Sequence, residues 1–313
     1  MRIIAGDIGG TKVLLQLVED GVAVREQRFE SAAYKTFDDL LHEFMADDKG
    51  IDGACFAVAG PVFENRAEVT NTGWVMSSDA LAKAFSIGRV TLINDFFAVA
   101  LGVPLLAPDD LVSLNPGTRV ANAPIAILGA GTGLGEAALV SDGKQYNVLP
   151  GEGGHADFGP QDEEQARLFA TLLKKYGHVS WERLLSGMGL VNIDDFLRGI
   201  SRPYDERIPM EIAELAGKAD ATANHTFEIF VDIYGAEAGN MALRLLSRGG
   251  VFLAGGIAAK NMRHFQTGRF VEAFLRKGRF TDVMRTIPID VIVNPSVGLL
   301  GAVEAARRLV ESA

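Results

Sequence analysis

Val90-Thr91-Leu92-Ile93-Asn94-Asp95-Phe96-Phe97 is an apolar run that halts at two polar residues and resumes with helical spacing through Leu101. Aliphatic and β-branched residues in succession, without alternation, predict a buried strand. In open α/β sheets ligands gather outside the carboxyl ends of the strands, which is where Asn94 and Asp95 would stand. Two roles fit them. Asn and Asp are favoured helix caps, and taken alone that role is sufficient. A carboxylate fixed at a strand end is also a candidate general base, with Asn94 beside it as a substrate contact.

Hairpins of one plan lie on either side of this stretch. In the first, Arg2-Ile3-Ile4-Ala5 leads into Gly6-Asp7-Ile8-Gly9-Gly10-Thr11-Lys12, then a strand over 13–18, Glu19-Asp20-Gly21 as a turn, and Val22-Ala23-Val24. In the second, Ile125-Ala126-Ile127-Leu128 enters Gly129-Ala130-Gly131-Thr132-Gly133-Leu134-Gly135, followed by Ala137-Ala138-Leu139-Val140, Ser141-Asp142-Gly143 and a strand near Tyr146. The segments align without gaps, and the repeat predicts two related lobes with one glycine turn apiece. Between them, residues 37–44 have helical spacing, 51–58 read as a strand, and the segment to Asn71-Thr72-Gly73-Trp74 as a hairpin. Ser78 or Asp79 is placed to cap a helix through Phe85. Beyond the second copy, helices are expected at 163–176, 180–185 and 222–246. A buried strand at 251–254 enters Gly255-Gly256, a last strand covers 287–293, and a helix runs from about 299 to 310.

The chain has 313 residues, 48% of them hydrophobic, enough for about two ordinary cores. A formal net charge of -10 argues against nucleic-acid binding, which needs a basic face. A nucleotide ligand is still possible, since backbone N–H groups and a cation can hold phosphates. The single Cys55 excludes an internal disulfide and a multi-cysteine zinc site and suits a reducing compartment. The first residues are too short for a secretory segment, and the apolar stretch 96–107, broken by Pro104, is too short to span a bilayer. A cytoplasmic location is expected, with no membrane partner.

Glycines in Gly6-Asp7-Ile8-Gly9-Gly10-Thr11 would let several N–H groups approach one phosphate, with Thr11 adding a hydroxyl and Lys12 a cation. Asp7 can hold Mg2+ through water. There is no P-loop pattern, and the glycines at 129, 131, 133 and 135 do not fit a dinucleotide fingerprint. In Pro150-Gly151-Glu152-Gly153-Gly154-His155 a carboxylate and an imidazole stand three apart. That is a poor metal site, since the other histidines lack ligand spacing, and a good polyol site, because both groups bond to hydroxyls. Glu182, in a first helical turn, is equally well explained by the helix dipole.

Gly-Asp-Ile-Gly-Gly-Thr at 6–11, Ile93-Asn94-Asp95-Phe96, the turn at 129–135, the run 149–155 and the segment 178–187 together resemble the bacterial glucokinases, of the hexokinase–actin–heat-shock ATPase superfamily. The resemblance runs in order along nearly the whole chain. It implies an α/β, two-lobed, ribonuclease H-like or actin-like fold with a duplicated core and a central cleft. A small domain would comprise 1–105 with 296–313, and a large one 106–295. It implies that Asp95 takes the proton of the glucose 6-hydroxyl as the γ-phosphoryl group of MgATP is transferred. Asn71, Asn94, Asp95, Glu152, His155 and Glu182 would bind the sugar. Gly6, Asp7, Ile8, Gly9, Gly10 and Thr11, with Gly131, Thr132 and Gly133, would cradle phosphates. Gly255 and Gly256 would border the adenine, and a homodimer is implied. The chain lacks the cysteine-rich zinc motif and the basic helix-turn-helix of the sister branch of repressors and sugar kinases. Alternatives are a kinase for another hexose or amino sugar, and an actin-like ATPase without a small acceptor.

Overall fold

The structure is a computed structural model that describes residues 1–69 and 72–312. Asn71, one of the expected sugar contacts, lies outside the described residues. The chain separates into two compact units, 1–107 with 294–313, and 108–293.

In the first unit, β1 (Arg2–Ile8), β2 (Lys12–Glu19) and β3 (Val22–Glu30) form an antiparallel meander. They are followed by β4 (Gly53–Val58), the small sheet β5 (Val62–Phe63), β6 (Arg66–Glu68) and β7 (Val75–Ser77), and then β8 (Val90–Asn94). The main sheet has the order β3-β2-β1-β4-β8, with β4 parallel to both β1 and β8. Successive residues of a strand face opposite ways, so β1 feeds two cores. Ile4 and Ile8 pack with Leu15, Phe56 and the helix Phe37–Met45, whose start is a capping box between Thr36 and Asp39. Ile3 and Ala5 face the other way, onto Ala98 of the helix Asp95–Gly102 and onto Leu299 and Ala302 of the helix Val297–Glu311.

Those two helices meet through glycines. A Cβ on Gly301 would fall on the carbonyl oxygen of Ala98, and one on Gly102 on that of Val297. Only hydrogen fits there, and the close approach fixes the helix that begins at Asp95. Gly301→Ala should therefore cost about 1–3 kcal/mol, the usual range for overpacking, read as a lower urea or thermal unfolding midpoint.

The second unit contains β9 (Leu111–Asn115), β10 (Ile125–Ala130), β11 (Leu134–Ser141), β12 (Tyr146–Gly151), β13 (Gly250–Ala254) and β14 (Ile289–Ile292), in the order β12-β11-β10-β13-β14-β9. Here too an antiparallel meander (β12-β11-β10) is extended by two parallel strands, β13 and β14, and β9 closes the edge antiparallel to β14. The helix Ala221–Leu245 supplies Phe227, Phe230 and Tyr234 to the core, with Phe265, Phe270 and Phe274 around them. Among the described residues, no helix is long and apolar enough to cross a membrane.

Several elements differ from the sequence expectations. Both glycine turns are tighter: β1 continues through Gly6, Asp7 and Ile8, and β10 through Gly129 and Ala130. Ser77, rather than Ser78 or Asp79, precedes the helix Ser78–Phe85. Only Trp181–Arg183 is helical within 180–185, as a single 3-10 turn. The helix Gly187–Arg198 was not among the expected elements; it opens on glycines, poor helix formers, and Ser186 caps it by accepting from Gly189 N at 3.1 Å.

Candidate functional site

In the first unit, β1 and β2 hold the turn Gly9-Gly10-Thr11 between them. Gly9 N donates to Lys12 O at 2.9 Å, and Ser31 pins the turn from outside: its N–H donates to Thr11 O at 2.9 Å and its hydroxyl to Gly9 O at 3.1 Å. Ser31 is buried and had no signal in the sequence, because it reaches the turn only through the pairing of β3 with β2. Gly6 and Ile8 are strand residues, not turn residues. A Cβ on Gly6 would meet Leu15 Cδ2 at 2.6 Å, and Ile8 is fully buried. Their backbone is paired within the sheet and the Gly9 N–H is bound to Lys12 O, which leaves the N–H groups of Gly10 and Thr11 as the turn's candidate donors.

Asp7 lies on the sheet face opposite Ile8, its Oδ2 3.4 Å from where a Cβ on Gly298 would stand. Burial first, and the charge of Asp95 second, push its carboxyl up to about 6. Asp95 opens its helix at the end of β8. Its Oδ1 accepts from Phe96 N at 2.8 Å, and burial raises its pKa while that N–H and Asn94 oppose the shift. Asn94 does act as the cap: its Oδ1 accepts from Phe96 N at 2.9 Å and Phe97 N at 3.2 Å. Its amide nitrogen donates to Gly60 O at 3.1 Å. The same carboxamide also hydrogen-bonds the Asp95 carboxylate, so Asn94 orients the candidate base as well as capping its helix.

In the second unit, the turn Gly131-Thr132-Gly133 joins β10 to β11, closed by Gly131 N donating to Gly133 O at 2.8 Å. Gly187 N donates to Gly131 O at 2.8 Å, and the buried Tyr234 hydroxyl accepts from Ala130 N at 3.2 Å. Tyr234 is another support with no local sequence signal, since it comes from a helix a hundred residues away. Gly255, at φ +87, passes so close to Ala130 that a Cβ would strike the Ala130 carbonyl, and Gly256 starts the short helix that follows. The expected phosphate and adenine glycines are thus neighbours.

Glu152, His155 and Glu182 also come together. The segment after β12 turns through Gly153–His155 and lies beside residues 179–182, with Phe158 N donating to Val179 O at 3.0 Å and Trp181 N to Ala156 O at 3.1 Å. His155 Nε2 is then 3.8 Å from Glu152 Oε2, and its Nδ1 3.9 Å from Glu182 Oε1. Glu182 Oε2 accepts from Leu134 N at 3.0 Å. One carboxylate therefore fastens this cluster to the glycine turn. His178 and Asp157, 2.8 Å apart, lie along the same pair of segments and were not anticipated. Among the described residues, no group of three or more His, Cys, Asp or Glu side chains could hold a metal ion by themselves.

Residues 4–309 match the family model for glucokinase. The glucokinase of Trichormus variabilis is 40% identical, over 98% of this chain and 99% of that relative. A crystal structure of glucokinase from an Antarctic psychrotroph superposes with a TM-score of 0.88 at 30% identity, over 98% of this chain and 99% of that one. A glucokinase of the ROK family from Streptomyces griseus, solved with glucose and AMPPNP, shares the fold alone, with a TM-score of 0.64 at 18% identity over 98% and 100% of the two chains.

Proposed function

Because this chain belongs to the glucokinase family, we propose that it transfers the γ-phosphoryl group of ATP to the 6-hydroxyl of D-glucose, with Asp95 as the general base. Glu182 carries the reading: one oxygen faces His155 and the other holds the backbone of a glycine turn, so hydroxyl-binding and phosphate-binding groups are mechanically one piece. Phosphoryl transfer asks the protein for alignment and charge stabilisation more than for covalent chemistry.

In the first unit we assign the turn Gly9-Gly10-Thr11 to phosphate oxygens, through the N–H groups of Gly10 and Thr11, Asp95 to the 6-hydroxyl, and the Asn94 side chain to a neighbouring hydroxyl. Asp7 fits a hydrated Mg2+: its carboxyl is pushed up first by burial and then by the charge of Asp95, and a cation would offset both. Bound as MgATP, the ion would offset phosphate charge. In the second unit we assign Gly131, Thr132 and Gly133 to phosphate, Gly255 and Gly256 to the base, and Glu152, His155 and Glu182 to sugar hydroxyls. The shared strand plan of the two main sheets supports a duplicated core. A cytoplasmic setting fits the buried free thiol of Cys55. We also propose a homodimer, which sedimentation of the purified chain tests.

A coupled ADP-release assay over a panel of hexoses and amino sugars tests the reaction. Glucose should give the highest kcat/KM; preference for another sugar would change the substrate, and sugar-independent ATP hydrolysis would remove the acceptor. Glu152→Gln should raise the glucose KM by about 10-fold or more while kcat falls less, since a hydroxyl bond to a charged acceptor contributes roughly 1.5–3 kcal/mol. An unchanged KM would take Glu152 out of the pocket.

A further inference from the structure

Glu136 stands in β11, two residues beyond Leu134 and opposite Gly151 of β12. It is only 5% exposed, and its Oε1 has no hydrogen-bond partner. Buried carboxylates are ordinarily paired, so an orphan needs a reason. The space it fills gives one. A Cβ on Gly153 would fall on Glu136 Oε2, so the turn Gly153–His155 rests on this carboxyl and can approach β11 only because residue 153 has no side chain. Gly154 presses in the same way on the carbonyl of Leu134.

From the helix Ala221–Leu245, Tyr234, Glu237 and Arg244 act on Glu136. Glu237 is fully buried and accepts from Asn240 Nδ2 at 2.8 Å and Arg244 Nη1 at 2.9 Å. Lys277 reaches the same cluster, donating to Asn240 Oδ1 at 2.7 Å. The turn itself brings Glu152 and His155. Burial, then the charge of Glu237, push Glu136 up to about 7, with Arg244 opposing.

We propose that Glu136 is a positioning residue for the sugar-binding turn: its carboxyl, seated under Gly153 and facing Glu237, holds Glu152 and His155 in place, and a charge on it loosens them. The proposal rests on the reading of Glu152 and His155 as hexose ligands. The proton that leaves Glu136 goes to solvent, and no bond to substrate is involved. Sugar affinity should accordingly weaken as pH rises through neutrality, while the phosphate turns and Asp95 are untouched.

The test measures glucose KM and kcat from about pH 6 to about pH 8.5, together with glucose binding followed by tryptophan fluorescence, Trp181 being adjacent to Glu182. In Glu136→Gln, a neutral side chain of the same shape, KM should lose its rise with pH. The ratio of wild-type to variant KM should grow about three- to tenfold across the range, corresponding to half to one pKa unit of coupling. Glu136→Ala should raise KM at every pH, and Gln should restore it. Glu237→Gln removes the neighbouring charge, so the wild-type rise should move to lower pH. Parallel KM profiles in wild type and Glu136→Gln, or a changed unfolding midpoint with unchanged KM, would overturn the proposal. Wild type that neither binds nor phosphorylates glucose would defeat the parent reading before any variant is made, and this inference with it.

Discussion

Asp95→Asn should leave glucose affinity close to that of the unaltered chain while kcat falls by about 10²–10⁴-fold, the range that general-base assistance supplies. The substitution keeps the shape of the side chain. The amide oxygen can still accept from Phe96 N, as Asp95 Oδ1 does at 2.8 Å, and Asn94 still caps the helix, so the local backbone has no reason to move. What disappears is an oxygen able to take a proton. Titration calorimetry with glucose and steady-state kinetics with ATP separate the two effects. Turnover near that of the wild type would remove Asp95 from the reaction. Since burial holds the Asp95 proton above the ordinary carboxyl range, wild-type kcat should also fall toward acid pH as the base is protonated. That acid limb should be missing from whatever activity Asp95→Asn retains.

The features legible in the sequence are those whose cause is local. Glycine clusters between apolar runs marked both hairpins, because glycine punctuates chain reversals and permits close approach, as of Gly9 to Lys12 O and of Gly133 to Glu182. The polar pair Asn94-Asp95 marked a strand end, since nothing apolar could compete for that position. Glu152 and His155 were legible as a pair from spacing and Glu182 only through the family resemblance; the structure brings Glu182 beside His155 through pairing of 155–158 with 179–182. The supports were not legible. Ser31, Tyr234 and Glu136 act on the turns from other elements, and each looks in sequence like an ordinary strand-end, core or strand residue. The limits of the turns were also misread, because Gly6 and Gly129 are strand residues, and Gly6 is there for close packing against Leu15 and Phe56. A glycine needed for space and a glycine needed for a phosphate look alike until their neighbours are known.

Asp7→Asn should stabilise the ligand-free chain above about pH 6 while removing most of its turnover, and the two effects have one cause. The folded chain holds the Asp7 proton up to about 6, against an ordinary carboxyl value of 3.8, because the group is half-buried and Asp95 is near. The folded state therefore binds this proton more tightly than the unfolded state does. Below the unfolded value both states are protonated and the group is neutral in the balance. As pH rises through the folded value, stability is lost, and above it the loss is complete, on the order of 2–3 kcal/mol for a shift of about two units. An amide carries no such burden, so the variant's unfolding midpoint should exceed that of wild type at about pH 8 and match it near about pH 4. With MgATP present the order should narrow or reverse, since a ligand at about 100 times its Kd adds roughly 2.7 kcal/mol to the state that binds it, and the variant has lost the carboxylate that would favour the cation. Its kcat/KM should drop by about 10²-fold or more, the scale of removing one electrostatic stabiliser of a developing charge. Differential scanning calorimetry at the two pH values, with and without MgATP, reads all of this directly. Equal midpoints at alkaline pH would mean that Asp7 is not strained by its surroundings. Full MgATP stabilisation in the variant would move the cation elsewhere.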